Sequence, residues 1–549
     1  MALRSFLVLA AIFCAGLCLS ACQPQSARVA CPAGWKCLEY GNSGDPLTLD
    51  PDKATTTTDA AIISEMIEGL IDSGPDGKPV PGIADHWDTS PDGLTWTFHL
   101  RDAKWSDGVP VTAGDFVYAY HRILDPNFGS PYAYMLYVLK NGHDIAEKGA
   151  DPNTLGAKAL DDHTLQLTLE HPAPYLLQIA KHQTFFPVPA HVVRKLGDDW
   201  LKPGNFVADG PYKLVSERLG DMVRLEKNPS YWDAANVCFN RVDFYPTTDT
   251  ESAERRVKRG ELDMNNTFTS RRIDYLRGAG GMKDYVHVAP YVGTSYLTYN
   301  VSKVKAFQDV RVRQALSMSI DRAFITSKLL RAGQTPTTSF VPPYMANYEP
   351  GAKAPWSNLT FPQRLAEARR LLAAAGYGPG HPLKIDMLVG IGSDNLLVPE
   401  ALQADWKSVG VEMTVSQEEG QLTFQSLQDR DFQVSLIAWI ADFDDPKTFL
   451  DLLKTGTGAQ NYGDYSNPAY DKLLDEADNE PNVAKRAHLL REAEQIILDD
   501  AAVAPMIDLV GRNLVSPDIT GWVDNEYNVH PVRYLCRRDA PPATTNQAA

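Results

Sequence analysis

The sequence has no excess of positive charge. Its 549 residues include 69 Asp and Glu against 52 Lys and Arg, and the formal net charge is −17. Nucleic-acid binding requires a basic surface that neutralises phosphates, so the composition argues against a nucleic-acid partner. The acidity is explained by solubility. With 44% hydrophobic residues, the chain has ordinary globular composition and is long enough for two or three domains.

Motifs of catalysis are also missing. The sequence contains no GxSxG nucleophile elbow, no HExxH zinc motif and no P-loop. The segment GIGSDN at 390–395 begins like a dinucleotide loop but lacks the third glycine, so an ordinary loop is the simpler interpretation. The acids clustered at 50–53 and 442–445 lack calcium-loop spacing, and the 12 His are scattered. We therefore predict no enzyme, no metal site and no cofactor.

Long hydrophobic runs are absent after the N-terminus. Residues 5–21 are almost wholly apolar and follow Arg4, a pattern typical of a secretory signal. The segment ends Leu-Ser-Ala-Cys, which resembles the bacterial lipoprotein box and makes Cys22 the lipidated residue. We predict a signal peptide at 1–21, a tether at 22–36 and a periplasmic protein held to a membrane by lipid. Which membrane carries the anchor stays open, and an ordinary signal peptide cleaved nearby is the alternative.

Cysteine is scarce, and its seven positions divide clearly. Three precede or form the predicted lipid site, which leaves four in the mature chain: Cys31, Cys37, Cys238 and Cys536. An even number in an oxidising compartment favours two disulfides, for which three pairings exist. We favour a local bond between the first two and a long-range bond between the last two. Free buried thiols are the alternative.

Strand and helix patterns alternate along the chain without an obvious repeat. Period-two or β-rich segments predict strands, and apolar residues at helical spacing predict helices. The predicted strands are 96–100, 163–169, 296–301 and 384–390, and the predicted helices are 363–375 and 483–500. Such alternation indicates α/β or α+β domains.

The stretch at 93–126 carries the most specific pattern. It reads GLTWTFHLRDAKWSDGVPVTAGDFVYAYHRILDP and resembles the signature of the extracellular solute-binding family that includes the oligopeptide- and dipeptide-binding proteins of ABC transporters. Trp96 and Phe98 share one face of a strand and should be core, residues 106–108 suit a turn, and Thr112 can cap a helix. These are structural positions rather than a site.

Further motifs extend this resemblance over almost the whole mature chain, in family order. They include LDPDKATT, EGLIDSGPDGKPVPGIADHW, ADGPYKL, NPSYWD, FQDVRVRQALSMSIDR and SNPAYDKLLDEA. Their order looks most like the oligopeptide-binding branch. Many motifs in order are far more specific than any one of them, so the chain is identified as a member of this family.

The resemblance implies a two-lobed α/β periplasmic binding protein of type II, cluster C, with an extra subdomain and a closing cleft. The implied division assigns 37–67, 190–292 and 508–539 to a discontinuous lobe I, 68–189 to the extra subdomain and 293–507 to lobe II. The final residues, 540–549, have the composition of a disordered tail. The family's own disulfide would fall at Gly293 and Ile440, where this sequence has no cysteine.

The resemblance also implies a peptide ligand, bound as an added strand through main-chain hydrogen bonds. The implied ligand-binding positions are Thr55, Thr56, Thr57, Tyr132, Tyr291, Tyr296, Ala438, Trp439, Ile440 and Asp442. For the tyrosines and the tryptophan, plain core packing is the alternative.

Asp442 also stands out without the resemblance. It ends the apolar run that follows FQVSLI, and a carboxylate there needs a partner or water, since otherwise its pKa rises. The resemblance places it where the family's carboxylate pairs with the peptide α-ammonium. A helix cap or an internal salt bridge is the alternative role.

The opposite end of the ligand is less clear. Some family members hold the peptide carboxylate with basic side chains, and the alignment places Leu330, Leu396 and Leu436 at those positions. Lys328 and Arg331 lie close enough in sequence to the first of these for a register error. Without these basic groups, the ligand could be longer, modified, or solvated at its C-terminus.

The leading functional prediction is a monomeric lipoprotein that captures oligopeptides and delivers them to the permease of an ABC importer. A binder of a non-peptide solute, or of a modified or murein peptide, is the first alternative. A peptide-processing lipoprotein enzyme and a chaperone-like or signalling protein on the same fold are the others.

Overall fold

The computed structural model describes residues 30–391 and 396–538. The predicted signal peptide, Cys22, most of the tether and the predicted tail lie outside these residues. Within them, no helix is both long and apolar enough to cross a membrane.

One large mixed sheet runs through the molecule. In spatial order its strands are β15 (Val411–Glu418), β14 (Leu383–Gly390), β16 (Val434–Ile440), β12 (Val286–Tyr299), β17 (Val503–Val515), β11 (Met264–Asn265), β1 (Cys37–Gly41), β10 (Arg241–Tyr245), β9 (Met222–Lys227) and β8 (Tyr212–Arg218). The short β13 (Thr335–Pro336) also pairs with β17. The long antiparallel strands β12 and β17 therefore join the part of the sheet at β14–β16 to the part at β1 and β8–β11.

Smaller sheets complete the β structure. A four-stranded sheet has the order β4 (Ala84–Thr89), β5 (Thr95–Leu100), β7 (Thr164–Thr168) and β6 (Ala157–Asp161). Two-stranded sheets pair β2 (Ile71–Ser73) with β3 (Pro79–Pro81) and β18 (Ile519–Thr520) with β19 (Cys536–Arg537).

The helices cover both parts of the large sheet. In chain order they are α1 (Thr57–Met66), α2 (Ala113–Leu124), α3 (Gly142–Lys148), α4 (Leu176–Ile179), α5 (Ala190–Leu196), α6 (Thr250–Lys258), α7 (Ile273–Arg277), α8 (Val310–Met318), α9 (Arg322–Phe324), α10 (Phe361–Ala374), α11 (Leu397–Ser408), α12 (Gly420–Gln428), α13 (Lys447–Leu450), α14 (Pro468–Asp478) and α15 (Val483–Asp499).

The buried apolar residues fall into separate cores. The largest takes nearly all its members from 38–264 and 515–535. Two others are built from 297–507 and from 292–503, on opposite faces of β12 and β16. Separate cores on either side of β12 and β17 are the reason that the molecule has two lobes. The residue boundaries predicted for the lobes and the extra subdomain stay predictions.

Most elements predicted from local pattern are present. The predicted strands at 96–100, 163–169 and 384–390 correspond to β5, β7 and β14, and the two predicted helices to α10 and α15. The strand expected at 296–301 is the end of the longer β12, which begins at Val286 and stops at Tyr299 because Val301 starts a turn. Thr112 precedes α2 and its backbone N–H donates to Asp115 at 2.9 Å, which forms the expected cap.

Both disulfides have the favoured pairing. Cys31 bonds to Cys37, and Cys238 bonds to Cys536 across 298 positions of sequence. The second bond ties the C-terminal segment to the end of the large sheet that contains β1, β9 and β10.

Candidate functional site

Strand β16 leaves one of its edges open beside the point where the two lobes meet. On one side it pairs with β12 along its whole length, from Val434 to Ile440. On the other side, β14 pairs only with Val434 and Ser435. Among the described strands, none covers the remaining edge from Leu436 onward, so its backbone groups are available to an added extended chain.

Asp442 follows this open edge directly. Tyr132 donates its hydroxyl hydrogen bond to Oδ1 of Asp442 at 3.4 Å, and Nε2 of His182 lies 3.9 Å from the same oxygen. The backbone N–H of Asp442 donates to the hydroxyl of Thr448 at 3.1 Å. These contacts bring residues from 132 and 182, in the chain before β8, to the end of β16.

No cation balances Asp442 in the described part of the chain. Its side chain is only 12% exposed, and Oδ2 is buried without a hydrogen-bond partner. Burial raises its pKa from 3.8 to about 7, although hydrogen bonds from Tyr132 and Tyr134 oppose the shift. Burial also lowers the pKa of His182 to about 3, so this imidazole is neutral. Neither expected structural role, a helix cap or a salt bridge to Lys or Arg, appears among the described residues.

The predicted aromatic positions are buried or partly buried: Tyr132 is a buried member of the largest core, and Tyr291 is partly buried. Tyr132 stacks on Tyr134 with ring centroids 5.6 Å apart. Burial raises the pKa of Tyr291, and the nearby charge of Asp442 raises it further. Tyr296 and Trp439 are buried in the core beneath β12 and β16, where Tyr296 contacts the Phe340 ring at 4.8 Å. Their side chains therefore pack as core, and ligand contact by them stays a prediction.

The predicted threonines surround the start of α1. Thr56 forms a capping box with Asp59, whose backbone N–H donates to the Thr56 hydroxyl at 3.1 Å. Thr55 and Thr57 are exposed on either side of it. The cap fixes the backbone of this segment, and its contact with a ligand stays a prediction.

Within β16, Ala438 is exposed, while Trp439 is buried and its indole N–H donates to Thr448 at 3.3 Å. Ile440 lies directly opposite Gly293 on β12. Two residues that the resemblance assigns to a family disulfide are thus cross-strand neighbours, which supports the alignment through Asp442.

The positions implied for a carboxylate anchor are not basic. Leu330 is buried in a core, Leu396 is exposed and Leu436 is partly buried on β16. Arg331 pairs with Asp274 at 3.1 Å and also donates to the carbonyl of Arg271. That arginine is therefore engaged away from the open edge.

A cavity of about 420 Å³ lies next to this site. It is lined on one side by residues from 134–179 and on the other by residues from 443–478, and it includes none of the predicted ligand-binding residues. Its buried Lys447 pairs with Asp451 at 2.9 Å and with Asp478 at 2.7 Å. Lys447 is therefore already paired with carboxylates, whereas Asp442 faces no Lys or Arg among the described residues.

Sequence reasoning missed Tyr134 and His182. Both lie beside Asp442, yet nothing in their local sequence indicates contact with a residue about 260–310 positions later. Tyr134 is two residues from Tyr132 in the segment SPYAY, and that proximity is the only sequence signal. Among the described residues, no group of three or more potential ligands is arranged to hold a metal ion.

Two lobes joined by long strands, with an uncompensated carboxylate beside an open strand edge between them, define a solute-binding protein of the closing-cleft type. A sequence profile of the bacterial extracellular solute-binding proteins, family 5, middle region, matches residues 78–494. The chain belongs to this family.

Curated relatives cover nearly the full chain. The periplasmic oligopeptide-binding protein OppA of Escherichia coli is 35% identical over 542 residues, which cover 96% of this chain and 98% of the relative. The periplasmic murein peptide-binding protein MppA of Escherichia coli is also 35% identical, over 488 residues that cover 88% of this chain and 89% of the relative.

Solved structures agree with the fold. Haemophilus influenzae OppA in complex with the peptide RPPGFSPFR has a TM-score of 0.86 at 31% identity, covering 92% of this chain and 99% of that one. Escherichia coli MppA has a TM-score of 0.88 at 34% identity, with the same coverage. The unliganded open form of MppA reaches only 0.68 at 33% identity and covers 92% of this chain and 98% of that one. The present lobe arrangement is thus nearer to the peptide complex than to the open form.

Proposed function

We propose that this protein is a lipid-anchored periplasmic lipoprotein that binds oligopeptides between its lobes and delivers them to an ABC importer. One observation carries the proposal: Asp442 is a buried carboxylate without a cation, at the end of a strand with an open edge. The α-ammonium of an extended peptide supplies the missing charge, and its backbone supplies the missing strand.

The energetics favour an ionic ligand end. An ionised carboxylate is costly to bury unpaired, and the pKa of about 7 for Asp442 expresses that cost. A fixed negative charge that excludes water selects a positive partner strongly. Tyr132, Tyr134 and neutral His182 orient the carboxylate without neutralising it.

Recognition through the main chain predicts broad side-chain tolerance. The backbone of an added strand makes the same hydrogen bonds whatever its side chains, and wet pockets accept many of them. Leucines at the three positions implied for a carboxylate anchor leave the peptide C-terminus without a basic partner there. The proposal therefore includes peptides of several lengths.

A modified or murein peptide is the second candidate ligand. The comparison with relatives favours it, because the murein peptide-binding relative and the oligopeptide-binding relative are both 35% identical to this chain. Such a ligand would still present a cationic amine to Asp442.

The proposed anchor depends on Cys22, which follows Leu19, Ser20 and Ala21. Several buried acyl chains hold a protein firmly to a membrane, since each buried CH₂ contributes about 0.8 kcal/mol. If the anchor lies in the membrane that carries the permease, it keeps the binding protein near the partner to which it would deliver its ligand.

Native mass spectrometry of the protein purified without its lipid tests the proposal, with denaturation to release any bound ligand. A ladder of mixed peptides supports a promiscuous peptide carrier and gives its length range. One defined modified peptide supports the second candidate. A single non-peptide solute, or an empty cleft that ignores added peptide mixtures, contradicts both.

A further inference from the structure

The side chain of Phe443, the residue after Asp442, packs outside its own lobe. Its side chain is 5% exposed and belongs to the largest apolar core. Every other member of that core lies within 38–264 or 515–535. The neighbouring residues after β16 pack instead in the core that contains Trp439 and Phe449. One aromatic side chain therefore inserts from the segment that carries Asp442 into the opposite part of the molecule.

The aromatic ring of Tyr175 packs against this side chain. The ring of Phe443 stacks on Tyr175 with centroids 5.1 Å apart and planes 18° from parallel. On the side of the inserting segment, Arg486 lies 5.2 Å from the Tyr175 centroid. Arg486 also makes two hydrogen bonds to Asp445, at 2.7 and 2.8 Å. Both partners of this ion pair are almost fully buried, so the segment from Asp442 to Asp445 is held rigidly behind the inserted ring.

Consecutive side chains of this segment contact different parts of the molecule. Asp442 contacts Tyr132 at the candidate ligand site, and Phe443 packs in the largest core beside Tyr175. Asp444 accepts from the Tyr527 hydroxyl at 2.8 Å and from the backbone N–H of Ala346 at 2.9 Å. The position of the carboxylate thus depends on the contacts of the next two side chains as well as on its own contact with Tyr132.

Two structures of one relative differ in how well they match the present lobe arrangement. The unliganded open form of one relative matches the present structure with a TM-score of 0.68, against 0.88 for another structure of the same relative. In the present arrangement, the contact between residues 175 and 443 joins the two parts of the molecule.

We propose that Phe443 is a positioning residue: its insertion beside Tyr175 sets Asp442 at the ammonium site, so that lobe closure and recognition of the peptide amino terminus occur together. The inference rests on the proposed function. In the open form the ring of Phe443 is withdrawn from Tyr175, and Asp442 is solvated and separated from Tyr132 and His182. On closure, the buried ring holds the carboxylate against Tyr132 and His182, where it selects a cationic amine.

The test compares Phe443→Ala with a matched control. Phe206 is also 5% exposed and stacks on Trp200 with centroids 5.1 Å apart and planes at 21°. Phe206→Ala thus removes an equivalent buried stack within one core, far along the chain from the segment of Asp442. Affinity is measured by calorimetry for one peptide with a free amino terminus and for its N-acetylated form, and dissociation is measured by stopped flow.

We expect Phe443→Ala to weaken binding of the free-amine peptide by about tenfold to hundredfold, the factor that corresponds to one buried aromatic side chain. Dissociation becomes faster, and the preference for the free amine over the acetylated peptide shrinks. Phe206→Ala lowers thermal stability by a similar amount and keeps both the affinity and the preference. Phe443→Leu, which keeps burial but not stacking, restores part of both and serves if the alanine variant does not fold.

Two results would overturn the inference. In the first, Phe443→Ala binds both peptides as the unaltered protein does. In the second, it loses affinity equally for both, so that the amine preference is unchanged and the role is only structural. If the unaltered protein binds no peptide at all, the proposed function fails first, and that outcome is distinct because it does not depend on the variants.

Discussion

The hydroxyl of Tyr132 lies 3.4 Å from Oδ1 of Asp442, although 310 positions separate the two residues in the sequence. The contact joins a segment before α3 to the end of β16. It places a neutral donor, rather than a cation, against a buried carboxylate. The pair therefore stabilises the negative charge of Asp442 without cancelling it, and a ligand's ammonium can still be bound.

Replacing Asp442 with Asn should weaken peptide binding at least tenfold, because the amide keeps the shape but removes the charge. Truncating one partner of a buried charge pair costs roughly 2–5 kcal/mol. Calorimetry with free-amine and N-acetylated peptides makes a double-mutant cycle, in which acetylation should cost little once Asp442→Asn is present. Unchanged affinity for the free-amine peptide would remove Asp442 from the site.

Peptide affinity should fall as the pH drops from about 7 to 5, because of His182. Burial lowers its pKa from 6.5 to about 3 in the closed form, so closure excludes a proton that the solvated imidazole of an open form binds below pH 6.5. Stability of the closed complex is therefore present above that pH and is lost below it, by at most about tenfold per pH unit. Asp442 changes little in this range, since it is ionised both when solvated and when paired with an ammonium.

The matched variant for this pH dependence is His182→Gln, which does not titrate. Calorimetry from pH 5 to 7.5 should give a flat profile for the variant and a sloping one for the unaltered protein. Equal slopes would show that another group is responsible.

Peptides of one length but different side chains should bind within about two orders of magnitude of one another. The reason is that an added strand at the edge from Leu436 to Ile440 is recognised mainly through its backbone. Competition calorimetry with a small set of peptides measures the range. One strongly preferred sequence, with the rest far weaker, would contradict main-chain recognition.

Removing the bond between Cys238 and Cys536 should destabilise the protein much more than removing the bond between Cys31 and Cys37. The two bonds span 298 and 6 positions, and closing a longer loop restricts the unfolded chain more. Paired Cys→Ser variants, compared by thermal unfolding, should show a loss of roughly 2–5 kcal/mol for the long-range bond. Non-reducing mass mapping should find both bonds, and four free thiols would refute them.

Replacing Cys22 with Ala should move the protein from the membrane fraction to the soluble periplasmic fraction, since the proposed acyl chains require the cysteine sulfur and N-terminus. Fractionation with detection by antibody measures this. Membrane association that survives the change would mean that another attachment holds the protein.

Local pattern was enough for the elements with strong periodicity. The helices at 363–375 and 483–500 and the strands at 96–100 and 384–390 appear within one or two residues of their predicted ends. Their apolar spacing matches a single secondary-structure period, so no distant information is needed. The strand at 296–301 ended early because Val301 starts a turn, and its N–H donates to the carbonyl of the distant Gly463.

By itself, the sequence determined the number of disulfides, the regular elements and the family, because each depends on residue types in order along the chain, and it predicted the compartment signal. It also marked Asp442, since a carboxylate after an apolar strand requires a partner. Only the tertiary structure decided what surrounds that carboxylate: Tyr134, neutral His182, the open edge of β16 and the insertion of Phe443. Those contacts join segments hundreds of residues apart, and their energies depend on burial and charge balance, which exist only once the lobes have folded and closed.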